Sequence, residues 1–472
     1  MELIHRFFNC PIPVKGCNLR CDYCYVVQQG NTDKLDFAKT EDCFKHPVSH
    51  MLNALTLERL GGPCAFHICA DGETFLWEDI VPFSAGVLEK GHYVSYTSNL
   101  TITAPLIELC NLLPEHREKI FFKCSFHWRE LNKRNLLKTF TKNVKMLRDA
   151  GISFSVEVVT NDFVLNELED LKAYSLEHFG ALPQVLTQRD EKNSGVYPRK
   201  SSMLSQEGYA KTWGAFDSEL FAYHQATWDL KREHFCYAGV YSLQFHLATG
   251  EVFPCPGNQK KVMNLFENIE LPPIFVPVGH NCPFSNCFFG FVTHILGGVD
   301  RDEASPYYFR NFRSRDCADG TRWINDTMFE AYGHRCSEFH NEYEPAKKFF
   351  LDMLMRKWYK GEEPTPEEMT QLAKVVAKQM NMADIKTVAI YGMAALGHWL
   401  TNVLQAAGIN VSFGIDRRYA ELDNKITIQS PECEIRGVDA VIVTPYAEFG
   451  NIAPILRDRT SIPIISIVDL IQ

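Results

Sequence analysis

The sequence predicts an α/β protein whose N-terminal domain is a partial (β/α)6 TIM-like barrel. Between about residues 9 and 190, short β-branched or aromatic runs alternate with amphipathic stretches, which is the pattern of a parallel sheet. A separate strand–turn–helix pattern at 386–407 predicts a further α/β domain. The strand–helix repeats suit a partial barrel, although an open doubly wound sheet gives the same alternation. Ligands bind at the carboxyl ends of the strands in both folds.

Particular strands and helices carry this prediction. The strands are expected at 11–15, 64–70, 92–98, 120–127, 152–160 and 183–188. Two amphipathic helices are expected at 135–150 and 164–179, and each is followed by a glycine that suits a helix C-terminus. A later helix begins after Thr365, which caps it, with Pro366 in the first turn and Glu368 completing a capping box.

The composition is that of a globular protein with several hydrophobic cores. The chain has 472 residues, 46% hydrophobic and 22% charged, which is enough for about two to four domains. Its net charge of −10 and the lack of a basic tract argue against a nucleic-acid scaffold. The N-terminus lacks the apolar core of a signal peptide, and no apolar run reaches the roughly 18 residues that a membrane span needs. We therefore expect a cytoplasmic protein.

The cysteines indicate a metal site. The chain has 16 of them, and in a reducing compartment such richness favours metal ligation over disulfides. Cys17, Cys21 and Cys24 lie on one loop after the first predicted strand. Three thiolates at this spacing can surround a cubane [4Fe–4S] cluster and leave its fourth iron open to the amino and carboxylate groups of S-adenosylmethionine (SAM). A structural zinc site is the alternative, but zinc requires four ligands, usually in paired CxxC units.

The segment CNLRCDYCY, residues 17–25, resembles the signature of the radical SAM superfamily, CxxxCxxC with an aromatic residue before the last cysteine. The resemblance implies that the three cysteines bind the cluster and that Tyr23 lies beside the adenine of SAM. It also implies that one electron, from a donor such as flavodoxin or ferredoxin, cleaves SAM to a 5′-deoxyadenosyl radical. This radical would abstract hydrogen from a substrate, with the cofactors supplying the chemistry.

The turn after the second strand, ADGET, resembles the GGEP segment of the same family. That segment binds the amino end of SAM, so we expect Asp71, Gly72, Glu73 and Thr74 in the SAM site. Asp71 and Thr74 depart from the family pattern. Gly72 and Glu73 keep the close backbone approach and the acceptor for an ammonium group. A plain strand-to-helix turn with an acidic cap is the alternative.

Polar side chains also lie at the ends of the later strands. Alternation places Lys123, Ser125 and His127 on one face of strand four. Any single residue of this kind can be a structural polar group, whereas a set facing one cavity is expected to contact SAM or substrate. The candidates for cofactor binding are Ser98, Asn99, Ser125 and Asp190, and the catalytic candidates are His127, Glu157 and Arg189.

A second group of cysteines lies between residues 236 and 287. The spacing GxxxxC from Gly250 to Cys255 resembles the opening of the auxiliary-cluster extension called SPASM or, in its shorter form, twitch. The later CxxCx5CxxxC of a full SPASM module is absent. The resemblance therefore implies one auxiliary [4Fe–4S] cluster with the ligands Cys236, Cys255, Cys282 and Cys287. A four-cysteine structural zinc site is the alternative.

The segment VAIYGMAALGHWL has the order strand, turn, helix, with Gly392, Ala394 and Gly397 on a GxGxxG frame. Asp416 ends the next predicted strand, where a Rossmann fold places its ribose-binding acid. The segment resembles the small Rossmann-like units attached to enzymes of surface-polysaccharide and sugar metabolism. Binding of NAD or a nucleotide sugar, and a role as a docking scaffold, are equal alternatives for it.

These features divide the chain into a radical SAM barrel (1–225), a SPASM/twitch-like domain (226–345), a helical linker (346–381) and a Rossmann-like domain (382–472). Relatives with such extensions mostly modify peptides or proteins, and some oxidise sugar alcohols. We therefore expect a peptide or protein substrate first and a carbohydrate or nucleotide-linked sugar second. Two functions of other classes stay open: a redox sensor with non-catalytic clusters, and an NAD-dependent reductase that uses the C-terminal domain.

Overall fold

The chain divides into two compact units. The computed structural model describes residues 4–28, 30, 44–190, 199–227, 235–258, 260–282, 284, 287, 313–333, 343–422 and 426–471. Unit one comprises Met1–Arg232, Tyr241–Gln259 and Phe284–His340, and unit two comprises Glu233–Val240, Lys260–Pro283 and Asn341–Gln472. The predicted domain boundaries near residues 225, 345 and 381 remain predictions. None of the helices in the described ranges combines the length and apolar character that a bilayer crossing requires.

Unit one is built on a largely parallel sheet. Its strands are β1 (Arg6–Ile12), β2 (Cys64–Ala70), β3 (Tyr93–Ser98), β4 (Ile120–Ser125), β5 (Ser153–Val159), β6 (Gln184–Leu186), β7 (Arg189–Asp190), β8 (Arg199–Lys200), β9 (Ser242–Phe245) and β10 (Glu251–Phe253). Within the sheet the order is β10-β9-β1-β2-β3-β4-β5-β6. β1 to β6 and β9 run parallel, and β10 is antiparallel to β9. β7 and β8 form a separate antiparallel pair.

Helices connect the parallel strands of unit one. They are α1 (Tyr25–Gln28), α2 (Val48–Asn53), α3 (Leu57–Leu60), α4 (Ile80–Glu89), α5 (Thr103–Cys110), α6 (Pro114–Arg117), α7 (Trp128–Lys133), α8 (Leu137–Asp149), α9 (Leu168–Phe179), α10 (Gln206–Gly214), α11 (Glu219–Thr227) and α12 (Asp326–Gly333). Short 3-10 turns lie at Thr74–Leu76 and Asp162–Glu167. The predicted alternation of strands and helices, and thus the mixed α/β class, is confirmed.

The two faces of this sheet differ in chemistry. On one face, helices pack against apolar side chains, and the buried Tyr96 of β3 donates its hydroxyl proton to Ser84 Oγ of α4. The other face, which we call the polar face, is also buried but carries hydrogen-bonding and charged groups. Its members, given by strand register, are Asn9, His67, Ser95, Lys123, Ser155, Glu157, Gln184 and Gln244.

The first strand lies earlier than predicted. We expected it at 11–15, whereas β1 spans Arg6–Ile12 and pairs with β2 along its whole length. Its other side pairs with β9 only from Phe7 to Asn9. Backbone N–H groups of alternate residues point toward β9, so the missing N–H of Pro11 falls beyond the end of that pairing. The strand therefore tolerates a proline, and its position depends on a distant partner.

Unit two contains a second parallel sheet. The strands of this sheet are β12 (Thr387–Tyr391), β13 (Asn410–Ile415), β14 (Ile428–Gln429), β15 (Ala440–Val443) and β16 (Ile464–Ser466). Unit two also contains the two-residue strand β11 (Met263–Asn264), which is not part of this sheet, and the helices α13 (Pro345–Lys360), α14 (Pro366–Met382), α15 (Ala395–Ala406) and α16 (Phe449–Arg457). The sheet order β14-β13-β12-β15-β16 is all parallel. The predicted capping box at Thr365 and Glu368 is confirmed.

Candidate functional site

The loop with the three cysteines follows β1 and is fastened to the ends of other strands. Its Asn18 side chain donates to Thr101 Oγ1 at 2.7 Å and accepts from Asn99 Nδ2 at 2.8 Å. The backbone N–H of Arg20 donates to Glu130 Oε1, on α7, at 2.7 Å. The loop is thus held by the segments that follow β3 and β4. Carboxyl ends of parallel strands meet at one edge of a sheet, which is where the sequence predicts the site.

The turn after β2 lies directly against the cysteine loop. The N–H of Gly72 donates to Val14 O, and the N–H of Glu73 donates to Gly16 O, each at 2.7 Å. A Cβ atom on Gly72 would lie 1.9 Å from Gly16 O, a distance that no side chain tolerates. Only glycine permits this approach. The close approach observed at Gly72 is to the chain itself, and the predicted approach of this turn to SAM remains a prediction.

The buried Glu73 carboxylate joins the turn after β2 to the end of β3. It accepts the Ser98 hydroxyl at 2.6 Å, the Asn99 N–H at 2.8 Å and the Phe75 N–H at 3.2 Å. Burial raises the pKa of Glu73, and these three donors act against that shift. Three residues predicted from two strand ends, Glu73 after β2 and Ser98 and Asn99 at the end of β3, therefore form one hydrogen-bonded group. An ammonium partner for Glu73 remains a prediction.

The neighbouring predicted positions differ in their roles. Thr74 donates its hydroxyl proton to Thr97 O at 2.6 Å and accepts the Ala70 N–H at 3.2 Å, so this hydroxyl ties β2 to β3. Burial raises the pKa of Asp71. The departure of Thr74 from the family pattern thus has a structural account, since a proline there would lack the hydroxyl.

The cysteine thiols lie in surroundings that suit a cluster. Cys17, Cys21 and Cys24 are half-buried, and Cys17 Sγ accepts the Leu19 N–H at 3.4 Å and Asn99 Nδ2 at 3.8 Å. Hydrogen bonds to ligand sulfur are typical of iron–sulfur sites. No three Cys, His, Asp or Glu side chains within the described ranges converge on a point that would hold a single metal ion. A cubane takes one thiolate at each of several irons, so its ligands need not converge on one point. Ligation of a cluster by these cysteines remains a prediction.

Candidates from later strands lie around this loop. The Tyr23 hydroxyl and His127 Nδ1 are 2.7 Å apart, and burial raises the pKa of Tyr23. The Arg189 guanidinium lies over the Tyr25 ring at 4.1 Å, a cation–π contact. The cysteine loop and the helix that follows it therefore touch two of the predicted catalytic residues, and both contacts involve an aromatic residue of the CNLRCDYCY segment.

The remaining candidates lie on the strands themselves. Ser125 is the last residue of β4 and stands in register with Glu157 of β5. Asp190 lies on β7, where its backbone pairs with Arg199 of β8. Ser125 and Glu157 therefore lie on the same face of the sheet. The strand was expected to reach residue 127, but β4 ends at Ser125, so His127 lies instead at the start of α7.

The polar face contains an ion pair that the sequence did not reveal. Arg313, 5% exposed, donates from Nη1 to Glu157 Oε1. Lys123 is 4% exposed on the neighbouring strand, and burial together with Arg313 lowers its pKa to about 7. Burial also lowers the pKa values of His67 and His224, the latter to about 3. No spacing signal connects Arg313 with Glu157, since 156 residues separate them.

The four cysteines predicted to bind an auxiliary cluster are divided between the two units, so their surroundings are described for each unit by itself. In unit one, Gly250 has a φ of +81° in the turn between β9 and β10, and Cys255 follows β10. The GxxxxC spacing therefore corresponds to a hairpin. In unit two, Cys236 forms an antiparallel bridge with Gly279. Cys282 and Cys287 are both half-buried. Their joint ligation of a cluster remains a prediction.

The glycine-containing turn between β12 and α15 of unit two is stabilised by a carboxylate of the same unit. The Asp416 carboxylate accepts the Met393 N–H at 2.8 Å and the Arg418 N–H at 2.9 Å. A Cβ atom on Gly397 would lie 2.3 Å from Gly392 O, and Gly392 has a φ of +88°. Both glycines are thus required by the turn between β12 and α15. Asp416 stabilises this turn, and its predicted contact with a ribose remains a prediction.

The chain is similar to solved structures over about half its length. No known family profile matches the chain, and no curated protein is similar to it in sequence. It is similar to the solved structures of Streptococcus suis SuiB bound to S-adenosylmethionine (TM-score 0.40, 14% identity, 56% of this chain and 64% of SuiB), SuiB bound to the precursor peptide SuiA (0.38, 15%, 57% and 63%) and native anSMEcpe with bound AdoMet (0.40, 14%, 55% and 78%). The chain thus spans less than two thirds of SuiB.

Proposed function

We propose that the chain is a radical SAM enzyme that holds a [4Fe–4S] cluster through Cys17, Cys21 and Cys24 and cleaves SAM reductively. The observation that carries the proposal is the pair of backbone hydrogen bonds between the cysteine loop and the turn at Gly72 and Glu73. SAM must contact both segments at once if one provides the open iron and the other the acceptor for its amino group. A zinc knuckle takes all its ligands from its own loops and does not require contact with the turn after a neighbouring strand.

The cluster and SAM, when bound, supply a carbon-centred radical. The chain itself orients them. Glu73 fixes the turn after β2 to the end of β3 by accepting the Asn99 N–H. The Asn99 side chain in turn donates to Cys17 Sγ. N–H donors at a ligand sulfur raise the reduction potential of a cluster, so Asn99 favours its reduced state. Tyr23 lies on the same loop and is hydrogen-bonded to His127.

Anaerobic reconstitution tests this function. The full chain is loaded with iron and sulfide, reduced with dithionite and given SAM, and 5′-deoxyadenosine is measured. We expect its formation and a SAM-induced change in the EPR signal of the reduced cluster. Zinc bound at the 17–24 loop, or no 5′-deoxyadenosine from a fully loaded cluster, would contradict the proposal. The second result would favour a redox sensor.

The substrate we propose is a peptide or protein, because the Gly250–Cys255 hairpin resembles the SPASM and twitch extensions of peptide-modifying relatives. A carbohydrate or nucleotide-linked sugar is the second candidate, favoured by the sheet order of unit two. Short peptides encoded beside the gene, and a panel of nucleotide sugars, are tested for faster 5′-deoxyadenosine formation. Stimulation by the sugars alone would reverse our order.

An auxiliary [4Fe–4S] cluster on Cys236, Cys255, Cys282 and Cys287 is part of the proposal, as is the partial (β/α)6 barrel of unit one. Iron content tests the cluster: we expect about eight irons per chain in the loaded protein and about four in the Cys17→Ala/Cys21→Ala/Cys24→Ala variant. About four irons in the parent protein would remove the auxiliary cluster.

We also propose that residues 382–472 form a Rossmann-like domain. Its strands have the order 3-2-1-4-5 when counted from β12, which is the order of the first five strands of a dinucleotide-binding sheet. Equilibrium dialysis with NAD and with UDP-glucose distinguishes nucleotide binding from a docking role. An NAD-dependent reductase predicts that Asp416→Ala abolishes activity while Cys21→Ala spares it, and we expect the reverse.

A further inference from the structure

The segment after β4 binds the residue before each of the last two cysteines of the loop. The backbone N–H of Arg20, next to the second cysteine, donates to Glu130 Oε1 at 2.7 Å. The hydroxyl of Tyr23, next to the third cysteine, lies 2.7 Å from His127 Nδ1. Glu130 lies on α7, and His127 directly precedes this helix. α7 and the residue before it therefore fix the part of the loop that carries the second and third proposed ligands.

Glu130 is a buried carboxylate that accepts two hydrogen bonds with one oxygen. Its side chain is 9% exposed, and Oε1 accepts from both the Arg20 N–H and Arg134 Nε. Arg134 lies four residues after Glu130, and its own side chain is 35% exposed. A buried carboxylate is tolerated when it is paired with a cation and hydrogen-bonded. Arg134 therefore compensates a negative charge that lies beside the cysteine loop.

The Arg20 side chain holds the loop in a second way. Its Nη1 donates to Cys17 O at 2.6 Å and to Leu19 O at 2.7 Å. The guanidinium thus closes the loop between the first two cysteines, while the backbone of the same residue is anchored to Glu130. The closure uses the side chain of Arg20 and the anchor uses its main chain. A substitution at Glu130 can therefore remove the anchor and leave the closure in place.

We infer that Glu130 is a positioning residue for the cysteine loop, and that its pairing with Arg134 sets the reduction potential of the cluster on that loop. The inference rests on the proposed function and adds a regulation of its cluster. Reduction by one electron makes a cluster more negative, so a nearby carboxylate opposes it and a nearby guanidinium favours it. The bonds that join Arg20 to the next residue place Glu130 Oε1 within about 11 Å of Cys21 Sγ.

The test is a redox titration of the full chain with its clusters, followed by EPR at about pH 8.5 to keep the carboxylate ionised. The signal of the loop cluster is the one that the variant without the three loop cysteines lacks. Glu130→Gln keeps an acceptor for the Arg20 N–H but removes the negative charge, so the reduction potential should rise. Arg134→Met leaves the Glu130 carboxylate without its cation, so the potential should fall.

Two further variants complete this titration. Glu130→Gln/Arg134→Met carries neither charge, and its potential should lie between those of the two single variants. Asp149→Asn is the matched control, because it removes the carboxylate of the exposed pair Lys145–Asp149, which is also four residues apart in the same unit. Its potential should equal that of the parent.

The positioning role is tested by the release of iron to a chelator. Glu130→Ala removes the acceptor as well as the charge, so iron should leave the loop about threefold faster than in Glu130→Gln. Equal release rates in these two variants would show that Glu130 does not position the loop. If Glu130→Ala does not fold, the potentials of Glu130→Gln and Arg134→Met decide.

The sign of the two shifts separates an electrostatic role from a structural one. A merely structural pair would move both potentials in the same direction or in neither variant, and either result would overturn the inference. Opposite shifts without formation of 5′-deoxyadenosine would count against the proposed function alone. Formation of 5′-deoxyadenosine with shifts of the same sign would count against the inference alone.

Discussion

Glu73 in unit one and Asp416 in unit two have the same structural role. Each carboxylate lies after a parallel strand, accepts backbone N–H groups and fixes a glycine-containing turn. The two sheets differ in the side chains that their other strands carry. β12 and β15 bury apolar side chains, whereas β4 and β5 carry Lys123, Ser155 and Glu157 on their polar face. Both units thus contain a turn that is held by a carboxylate. The side chains on the neighbouring strands determine which chemistry each site can support.

The sharpest test of this difference removes a thiol from the loop of unit one. Cys21→Ala deprives the proposed cluster of one of three ligands, and we expect 5′-deoxyadenosine formation to fall more than 100-fold, because the reaction depends on the cluster. The product is measured by chromatography alongside iron content. Cys110→Ala is the matched control, since Cys110 is half-buried on α5, outside the loop. Activity retained in Cys21→Ala, or lost equally in Cys110→Ala, would refute the assignment.

The next largest effect concerns the approach of the two loops in unit one. In Gly72→Ala the new methyl group lies 1.9 Å from Gly16 O, so the turn must move away from the cysteine loop. We expect a loss of about 1–3 kcal/mol in the free energy of unfolding and at least tenfold slower 5′-deoxyadenosine formation. Denaturant unfolding and the product assay measure both.

Gly214→Ala is the control for Gly72→Ala. Gly214 ends α10, and a Cβ atom there meets no other atom within 4 Å. Alanine should leave activity unchanged and stabilise the chain by up to about 1 kcal/mol, since it restricts the unfolded state. A Gly72→Ala variant that is as active as Gly214→Ala would show that the contact between the two loops is not needed for SAM.

Gly397→Ala is the corresponding glycine-to-alanine substitution in unit two. Its methyl group would lie 2.3 Å from Gly392 O, and the stability loss should again be about 1–3 kcal/mol. We expect 5′-deoxyadenosine formation without substrate to stay within about twofold of the parent, measured below the unfolding transition, because this turn carries no part of the proposed cluster site. An activity loss as large as that of Gly72→Ala would mean that the two turns are functionally coupled.

The sequence predicted features that local interactions determine. β2 was expected at 64–70 and is observed at Cys64–Ala70, and the capping box of α14 needs only residues three apart. In these cases the residues that define the structure are neighbours in the chain, so their pattern is visible without knowledge of the fold. Gly72 was expected in the SAM site from the resemblance of its turn to the GGEP segment, and its close approach to Gly16 O was not predicted.

Features that depend on distant partners were missed or misplaced. The position of β1 depends on pairing with β9, more than 230 residues later, and the expected strand began five residues late. Arg313 gave no signal at all, because its role follows from insertion beside Glu157 in the folded chain. The Glu73–Ser98–Asn99 group lies between these extremes. Its members were predicted one by one from strand ends, while their hydrogen bonds to each other were not.

The smallest expected effect concerns a carboxylate of unit two that serves stability alone. Glu368 accepts from Arg356 at 2.9 Å and from the Thr365 N–H at 2.7 Å, and these bonds lower its pKa from 4.5 to about 2. A lowered pKa in the folded state means that the carboxylate stabilises the fold above pH 4.5 and loses this effect as the pH falls toward 2. Glu368→Gln should therefore cost about 0.5–1 kcal/mol near neutral pH, because the pair is partly solvated.

The difference in free energy of unfolding between parent and Glu368→Gln should shrink steadily between pH 4.5 and pH 2, as denaturant titrations at each pH would measure. Glu434→Gln is the control, since Glu434 forms an exposed pair with Arg436 and should change stability by less than about 0.5 kcal/mol at every pH. A difference that grows on acidification would mean that Glu368 is protonated in the fold. Glu368 would then resemble Glu73, because burial raises the pKa of Glu73. The proposed difference between a solvated carboxylate in unit two and a buried one in unit one would be wrong for this pair.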